Sequence, residues 1–171
     1  MITTATEADS PRLNQLVNSA YRGEGSKQGW TTEADLLDGI RTDERGLRET
    51  LNEPHSFILK YEHDGEIVGC VHLRKDDNQL YLGMLTVSPN LQAKGIGKQL
   101  LFAAEDEARN RECNAIYMTV ISQRKELIAW YERHGYTDSG ERRPFPSNDP
   151  RFGIPKTHLE FVVLRKHLSP R

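Results

Sequence analysis

The chain has 171 residues, 36% hydrophobic and 28% charged, with a formal net charge of -2. That length and balance fit one folded domain with a sizeable core, and the near-neutral charge leaves no basic field to draw nucleic acid. No run of about 18 apolar residues occurs, so the sequence predicts no membrane-spanning helix.

The start, MITTATEADSPRL, has neither a basic beginning nor an apolar core, so it does not read as a signal peptide. Thr3 to Thr6 reads as a short strand. Ser10-Pro11 reads as the cap and first residue of a helix. Leu13, Leu16, Val17, Ala20 and Tyr21 continue it with helical spacing, and Gly23 can stop it. Gly23 to Trp30 is a loop. Thr32 and Asp35 predict a second short helix carrying Leu36, Leu37 and Ile40. A third helix covers about Gly46 to Asn52 and ends before Pro54.

The composition then turns β-rich in three runs: SFILKYEH from Ser56, EIVGCVHLR from Glu66 and QLYLGMLTVS from Gln79. Asp64-Gly65 marks a tight hairpin between the first two. Asp76-Asp77-Asn78 joins the second to the third, so the three form an antiparallel meander. A helix follows from about Gly97 to Arg111, with Ile96, Leu100, Ala104 and Ala108 on one stripe. AIYMTVIS is a strand. KELIAWYERHGY is a helix closed by Gly135. Arg142 to Lys156, rich in Pro, Gly and Asn, is a long loop, and HLEFVVLRKHL holds the last strand. This order is α+β with one parallel crossover, in a single domain over 1–171. Cys70 sits in a strand pattern and reads as packing. With Cys113 it makes two free thiols of a reducing cytoplasm.

Gln92-Ala93-Lys94-Gly95-Ile96-Gly97 falls between a strand and a helix. A helix N-terminus carries partial positive charge and unpaired N–H groups, and glycine lets a ligand approach the backbone. The stretch therefore reads as a phosphate cradle. It is not a P-loop, because Gln99 follows Gly97-Lys98 where Ser or Thr is required. It is not a dinucleotide fingerprint, because Leu100 stands where a third Gly or Ala is required.

Three blocks carry a resemblance: Leu85-Thr86-Val87-Ser88-Pro89, then Gln92 to Gly97, then Trp130-Tyr131-Glu132-Arg133-His134-Gly135-Tyr136. In this order and separation they resemble the GNAT superfamily of acetyl-CoA-dependent N-acetyltransferases, well over Ser56 to Tyr136 and loosely outside it. The resemblance implies a GNAT-like mixed, mainly antiparallel central sheet flanked by helices. It implies acetyl-CoA as co-substrate and no metal. The pyrophosphate would lie on Gln92, Ala93, Lys94, Gly95, Ile96, Gly97 and Lys98. Main-chain groups of Leu85, Thr86 and Val87 would hold the pantetheine arm and acetyl carbonyl, next to a bulge at Met84-Leu85-Thr86. Tyr131 matches the tyrosine that faces the thioester sulfur and is the candidate general acid. Arg124 stands where the family often has an asparagine near the sulfur.

Acyl transfer to an amine also needs a proton acceptor. The family's usual glutamate is absent from Leu80 to Leu85, which leaves His72, on the neighbouring strand, as the candidate base. The resemblance implies that the acceptor lies between the early helices and the loop before the last strand, here Tyr21 to Glu33 and Arg142 to Lys156. Trp30, Glu33, Tyr81, Phe145 and Phe152 are the candidates, with Asp35 able to meet a cationic amine and Arg142, Arg143 and Arg151 able to meet a carboxylate. The expected partner is a small-molecule or peptide amine, with no nucleic acid and no membrane, and a homodimer is plausible by resemblance. The rivals are a protein N-terminal or lysine acetyltransferase, a non-catalytic acyl-CoA sensor, and a transferase using another donor such as succinyl-CoA.

Overall fold

The computed structural model describes residues 1–21, 37–38, 43–91, 94–144, 154–155 and 159–169. Its strands are β1 (Ile2–Thr4), β2 (Leu37–Asp38), β3 (Ser56–His63), β4 (Glu66–Asp76), β5 (Gln79–Val87), β6 (Ala115–Ile121), β7 (Thr137–Pro144), β8 (Ile154–Pro155) and β9 (Glu160–His167). Its helices are α1 (Ser10–Tyr21), α2 (Glu44–Asn52), α3 (Ile96–Asn110) and α4 (Lys125–Arg133). Seven strands form one sheet in the order β1-β3-β4-β5-β6-β9-β7, and β2 pairs with β8. Every pairing in the sheet is antiparallel except β5 with β6. The fold is α+β, as the order of elements predicts.

The local chemistry accounts for the elements. Asp64 and Gly65 turn the β3–β4 hairpin with φ of 53° and 79°, the left-handed pair that a primed two-residue turn requires. Asp43 caps α2, its carboxylate accepting from the Gly46 N–H at 2.6 Å. The entry to α1 differs from expectation. A short 3-10 turn, Glu7–Asp9, precedes it, and Ser10 is its first residue rather than its cap. The Thr6 N–H donates to the Asp9 carboxylate at 2.9 Å, so Asp9 does the capping one turn earlier.

The sheet buries both faces. On one, Leu73, Leu80, Leu82, Leu85, Val87, Ile116 and Met118 pack with α3 and with Leu127 and Tyr131 of α4. On the other, Ile58, Ile67 and Cys70 pack under Leu13, Leu16 and Val17 of α1 and Leu47 of α2. A bulge keeps β5 in phase with the first face. His72 pairs with Gly83 and Cys70 with Thr86, so Val71 faces two residues, Met84 and Leu85. Met84 takes φ 54° and packs toward the second core. Strand alternation would otherwise turn Leu85 and Val87 away from Leu80 and Leu82. The register shift falls where the sequence places the bulge.

Two expectations are corrected. The helix predicted around Thr32 to Ile40 contains strand β2 at Leu37–Asp38 instead, and its remainder lies outside the described residues. The loop predicted from Arg142 to Lys156 begins inside β7 and contains β8. All eight residues of β7 are exposed, so it lacks the apolar alternation by which a strand is recognised. Cys70 and Cys113 are free and buried.

Candidate active site

The parallel β5–β6 ladder has three rungs, Gln79–Ala115, Leu80–Ile116 and Tyr81–Tyr117. Past Tyr81 the strands diverge, while β5 runs on to Val87 and β6 to Ile121. A gap therefore opens in the middle of the sheet. Leu85, Thr86 and Val87 border it on one side.

On the first face, β5, α3 and α4 converge at the mouth of this gap. A Cβ on Gly97 would lie 3.6 Å from both Val87 Cγ2 and Trp130 Cζ2, so glycine lets these three elements close up. Gly95 is the N-cap of α3 with φ 83°, in the left-handed region that costs other residues about 1–2 kcal/mol. A Cβ there would meet nothing within 4 Å. Glycine brings no side-chain oxygen to the first turn of α3, so the N-cap side chain caps none of its amides. Lys94 and Lys98 are exposed beside it, and the Lys98 ammonium lies 5.5 Å from the Phe102 ring centroid. Tyr131 is buried, edge-on to Trp130 at 5.1 Å and to Tyr136 at 5.8 Å. Arg124 is buried at the β6–α4 junction, and its N–H donates to the Ile121 carbonyl at 2.9 Å. Trp130, which lies half-buried against Gly97, belongs to this wall as well as to the core.

The α4 end is held by a buried carboxylate. Glu105 of α3 accepts from Lys166 Nζ at 3.0 Å and from Tyr136 Oη at 3.3 Å. The same Lys166 ammonium donates to the His134 carbonyl at 3.0 Å. Burial and the Glu105 charge push the Tyr136 phenol far up, so it remains a donor.

The second face presents polar groups at the same height. His72 Nε2 and Ser56 Oγ are 2.6 Å apart. The Tyr81 ring meets His72 edge-on at 5.8 Å and Tyr117 at 5.5 Å, and the Arg74 guanidinium lies 4.7 Å from its centroid. Tyr117 Oη donates to Asp76 at 2.7 Å. Burial and Asp76 push the Tyr117 phenol up. Of the arginines expected to meet a carboxylate, Arg142 already spends its fork on Asp138, at 2.9 Å for each nitrogen, and Arg143 pairs with Glu141.

The structure thus brings together Leu85, Thr86 and Val87 along the β5 edge of the gap with Gly95, Ile96, Gly97 and Tyr131 over the first face, and it places His72 and Tyr81 on the second face. Gln92, Ala93, Trp30, Glu33, Asp35, Phe145, Arg151 and Phe152 lie outside the described residues. Sequence reasoning took Trp130 as core alone. The signal for its second contact is its place beside Tyr131, opposite a helix that opens on glycine.

A family model described as the acetyltransferase (GNAT) family matches residues 13–136. This chain belongs to the GNAT acetyltransferase family. Mycothiol acetyltransferase from Clavibacter sepedonicus is 28% identical over 113 residues, which cover 66% of this GNAT chain and 35% of that relative. The crystal structure of ribosomal-protein-alanine N-acetyltransferase from Brucella melitensis superposes with a TM-score of 0.72 at 22% identity, covering 98% of this chain and 99% of that one. The structure of yncA, a putative acetyltransferase from Salmonella typhimurium solved with its cofactor acetyl-CoA, superposes with a TM-score of 0.70 at 21% identity, covering 100% and 95%. The GNAT fold is common to all three chains compared by structure.

Proposed function

We propose that this protein moves an acetyl group from acetyl-CoA to the primary amine of a small molecule or peptide, directly, with both substrates bound. The observation that carries this reading is the three-rung β5–β6 ladder, because the gap beyond it gives a thioester access to both faces of the sheet. The α3 N-terminus at Gly95 fits the pyrophosphate, since its amides lack a capping side chain and its surroundings are open. Leu85 to Val87 fit the pantetheine arm as a strand edge fits an added strand.

The amine nitrogen attacks the thioester carbonyl carbon, forming the C–N bond. Main-chain N–H groups near Leu85 and Val87 meet the charge that develops on the carbonyl oxygen. As the C–S bond breaks, Tyr131 Oη protonates the departing sulfur. The proton lost by the amine goes to His72. Ser56 Oγ, 2.6 Å from its Nε2, holds the imidazole in place. The buried free thiols suit a reducing cytoplasm.

The test is acetyl transfer from acetyl-CoA to a pool of small amines, amino acids, polyamines, an alanine-initiated hexapeptide and a lysine peptide, read by mass spectrometry. A single acetylated product is expected. Tyr131→Phe should lower kcat about 100-fold, the scale of lost acid catalysis, with KM for acetyl-CoA little changed. If acetyl-CoA raises the melting temperature but no product forms, two readings are left, an acceptor outside the pool and an acyl-CoA sensor. A ligand at a hundred times its Kd adds about 2.7 kcal/mol, so the absence of any shift would remove the cofactor site itself.

A further inference from the structure

Tyr81 has an unusual posture. An ideal Cβ on Gly83 would lie 2.6 Å from Tyr81 Oη and 2.9 Å from its ring carbons. The phenol therefore lies along β5 instead of standing off the sheet, and it does so only because residue 83 has no side chain. Its hydroxyl sits over Gly83, two residues past the last β5–β6 rung and next to the Met84–Leu85 bulge against β4. His72, Arg74 and Tyr117 surround the ring, and Asp76 anchors Tyr117. The hydroxyl is thus held on the stretch of β5 that borders the gap by contacts from three strands.

We propose that Tyr81 Oη is the group that receives the acceptor, taking a hydrogen bond from an amine that arrives neutral, and that Gly83 is there to place it. This rests on the transferase reading above. A phenol oxygen offers lone pairs without charge, so it orients a neutral amine but does little to hold an ammonium. The charged groups facing this place from β4, α2's C-terminal side, β7 and β5's neighbours are consistent with that. Arg74 is cationic beside the ring. Its carboxylate neighbour Glu53 is 3.9 Å away. Asp76 is bonded to Tyr117, and Arg143, 5.7 Å from the Tyr117 centroid, is paired with Glu141. Among the described residues around this ring, His72 is the side chain of the type whose ordinary range spans neutrality. The chemical class that fits is a peptide-type α-amine. Such an amine is about one-third neutral at pH 7.5, against about 0.1% for a lysine side chain.

A simpler role exists for an aromatic ring over a strand glycine, which is to cover the bare backbone. Phenylalanine would serve that role as well as tyrosine, and this separates the two. The probes are an alanine-initiated hexapeptide without lysine and the same peptide Nα-acetylated with one internal lysine. Tyr81→Phe, Gly83→Ala and the double variant are compared with the unaltered chain, with thermal melts to check folding. Tyr81→Phe and Gly83→Ala should each lower kcat/KM for the first peptide at least tenfold, with KM for acetyl-CoA within about twofold. The double variant should be no worse than either single one, because each removes the same contact. The lysine peptide should be at least tenfold poorer. Wild-type rates for Tyr81→Phe, or additive losses in the double variant, would overturn the contact while leaving the transferase reading intact. Equal use of the two peptides would overturn the neutral-amine assignment. No transfer by the unaltered chain to the first peptide would overturn this proposal, and transfer to another amine of the pool in its place would leave the transferase reading intact.

Discussion

Gly95 and Gly97 open the same helix for different reasons. Gly97 faces inward, where a Cβ would touch Trp130 and Val87 at ordinary contact distance. Gly95 faces outward with φ 83°. Only the second is free of packing, so it is the residue at which ligand approach can be tested cleanly. Gly95→Val should cost about 1–2 kcal/mol of stability from backbone strain and weaken acetyl-CoA at least tenfold by crowding the first turn. Titration calorimetry reads the affinity, and an unchanged Kd would exclude a phosphate at this turn. At this scale the sequence was half legible. The paired glycines stand out, but nothing in a linear pattern divides their roles, because the division depends on Trp130 arriving from another helix. Tyr81 was legible as a candidate for meeting the acceptor, but not in the posture it takes. The Tyr-x-Gly spacing on one strand face was the available sign of its posture.

At the scale of elements, α3, α4 and β9 are joined through Glu105. Its carboxylate is 5% exposed and collects Lys166 and Tyr136 at once. Glu105→Gln keeps the shape and loses the charge, leaving a mostly buried ammonium with only the His134 carbonyl among these partners. A loss of about 2–3 kcal/mol is expected, read as a lower melting temperature. Adding Lys166→Met should recover part of it, since the unpaired charge is then gone. Additive losses would show that the two residues do not act as a pair. The elements that sequence reasoning found are mostly those with apolar rhythm, namely α1, the meander, the two later helices, β6 and β9, together with α2 ahead of Pro54. Leu80, Leu82, Leu85 and Val87 even write the bulge as a change of step from two to three. Strand β7 was missed because TDSGERRP has no such rhythm. Ser139 to Glu141 bulge out opposite Val163, and Asp138 with Arg142 braces that bulge from the solvent side.

At the scale of the molecule, the N-terminal segment is tied down by a charge cluster. Asp9, 4% exposed, meets Lys60 of β3 at 3.0 Å and Arg12 at 2.9 Å, and Lys60 also meets Glu62 at 2.8 Å. Burial raises the Asp9 carboxyl, but the Thr6 N–H, Lys60 and Arg12 outweigh it and hold the group below its ordinary value. A depressed carboxyl stabilises the fold above its unfolded pKa, about 3.9, and that contribution is lost as pH falls through the folded value. Melting temperature should therefore drop below about pH 4. Asp9→Asn should melt lower at pH 7 and lose less on acidification. Parallel curves for the two proteins would show that Asp9 does not carry this dependence. The three rungs between Tyr81 and Gln79 on one side and Tyr117 and Ala115 on the other have a mechanical meaning. Among the described residues they are the only ladder that joins the half-sheet β1-β3-β4-β5 to the half-sheet β6-β9-β7. The wall is nearly cut through along this line, and acetyl-CoA seated in the slot, as proposed above, would act as mortar between its two halves.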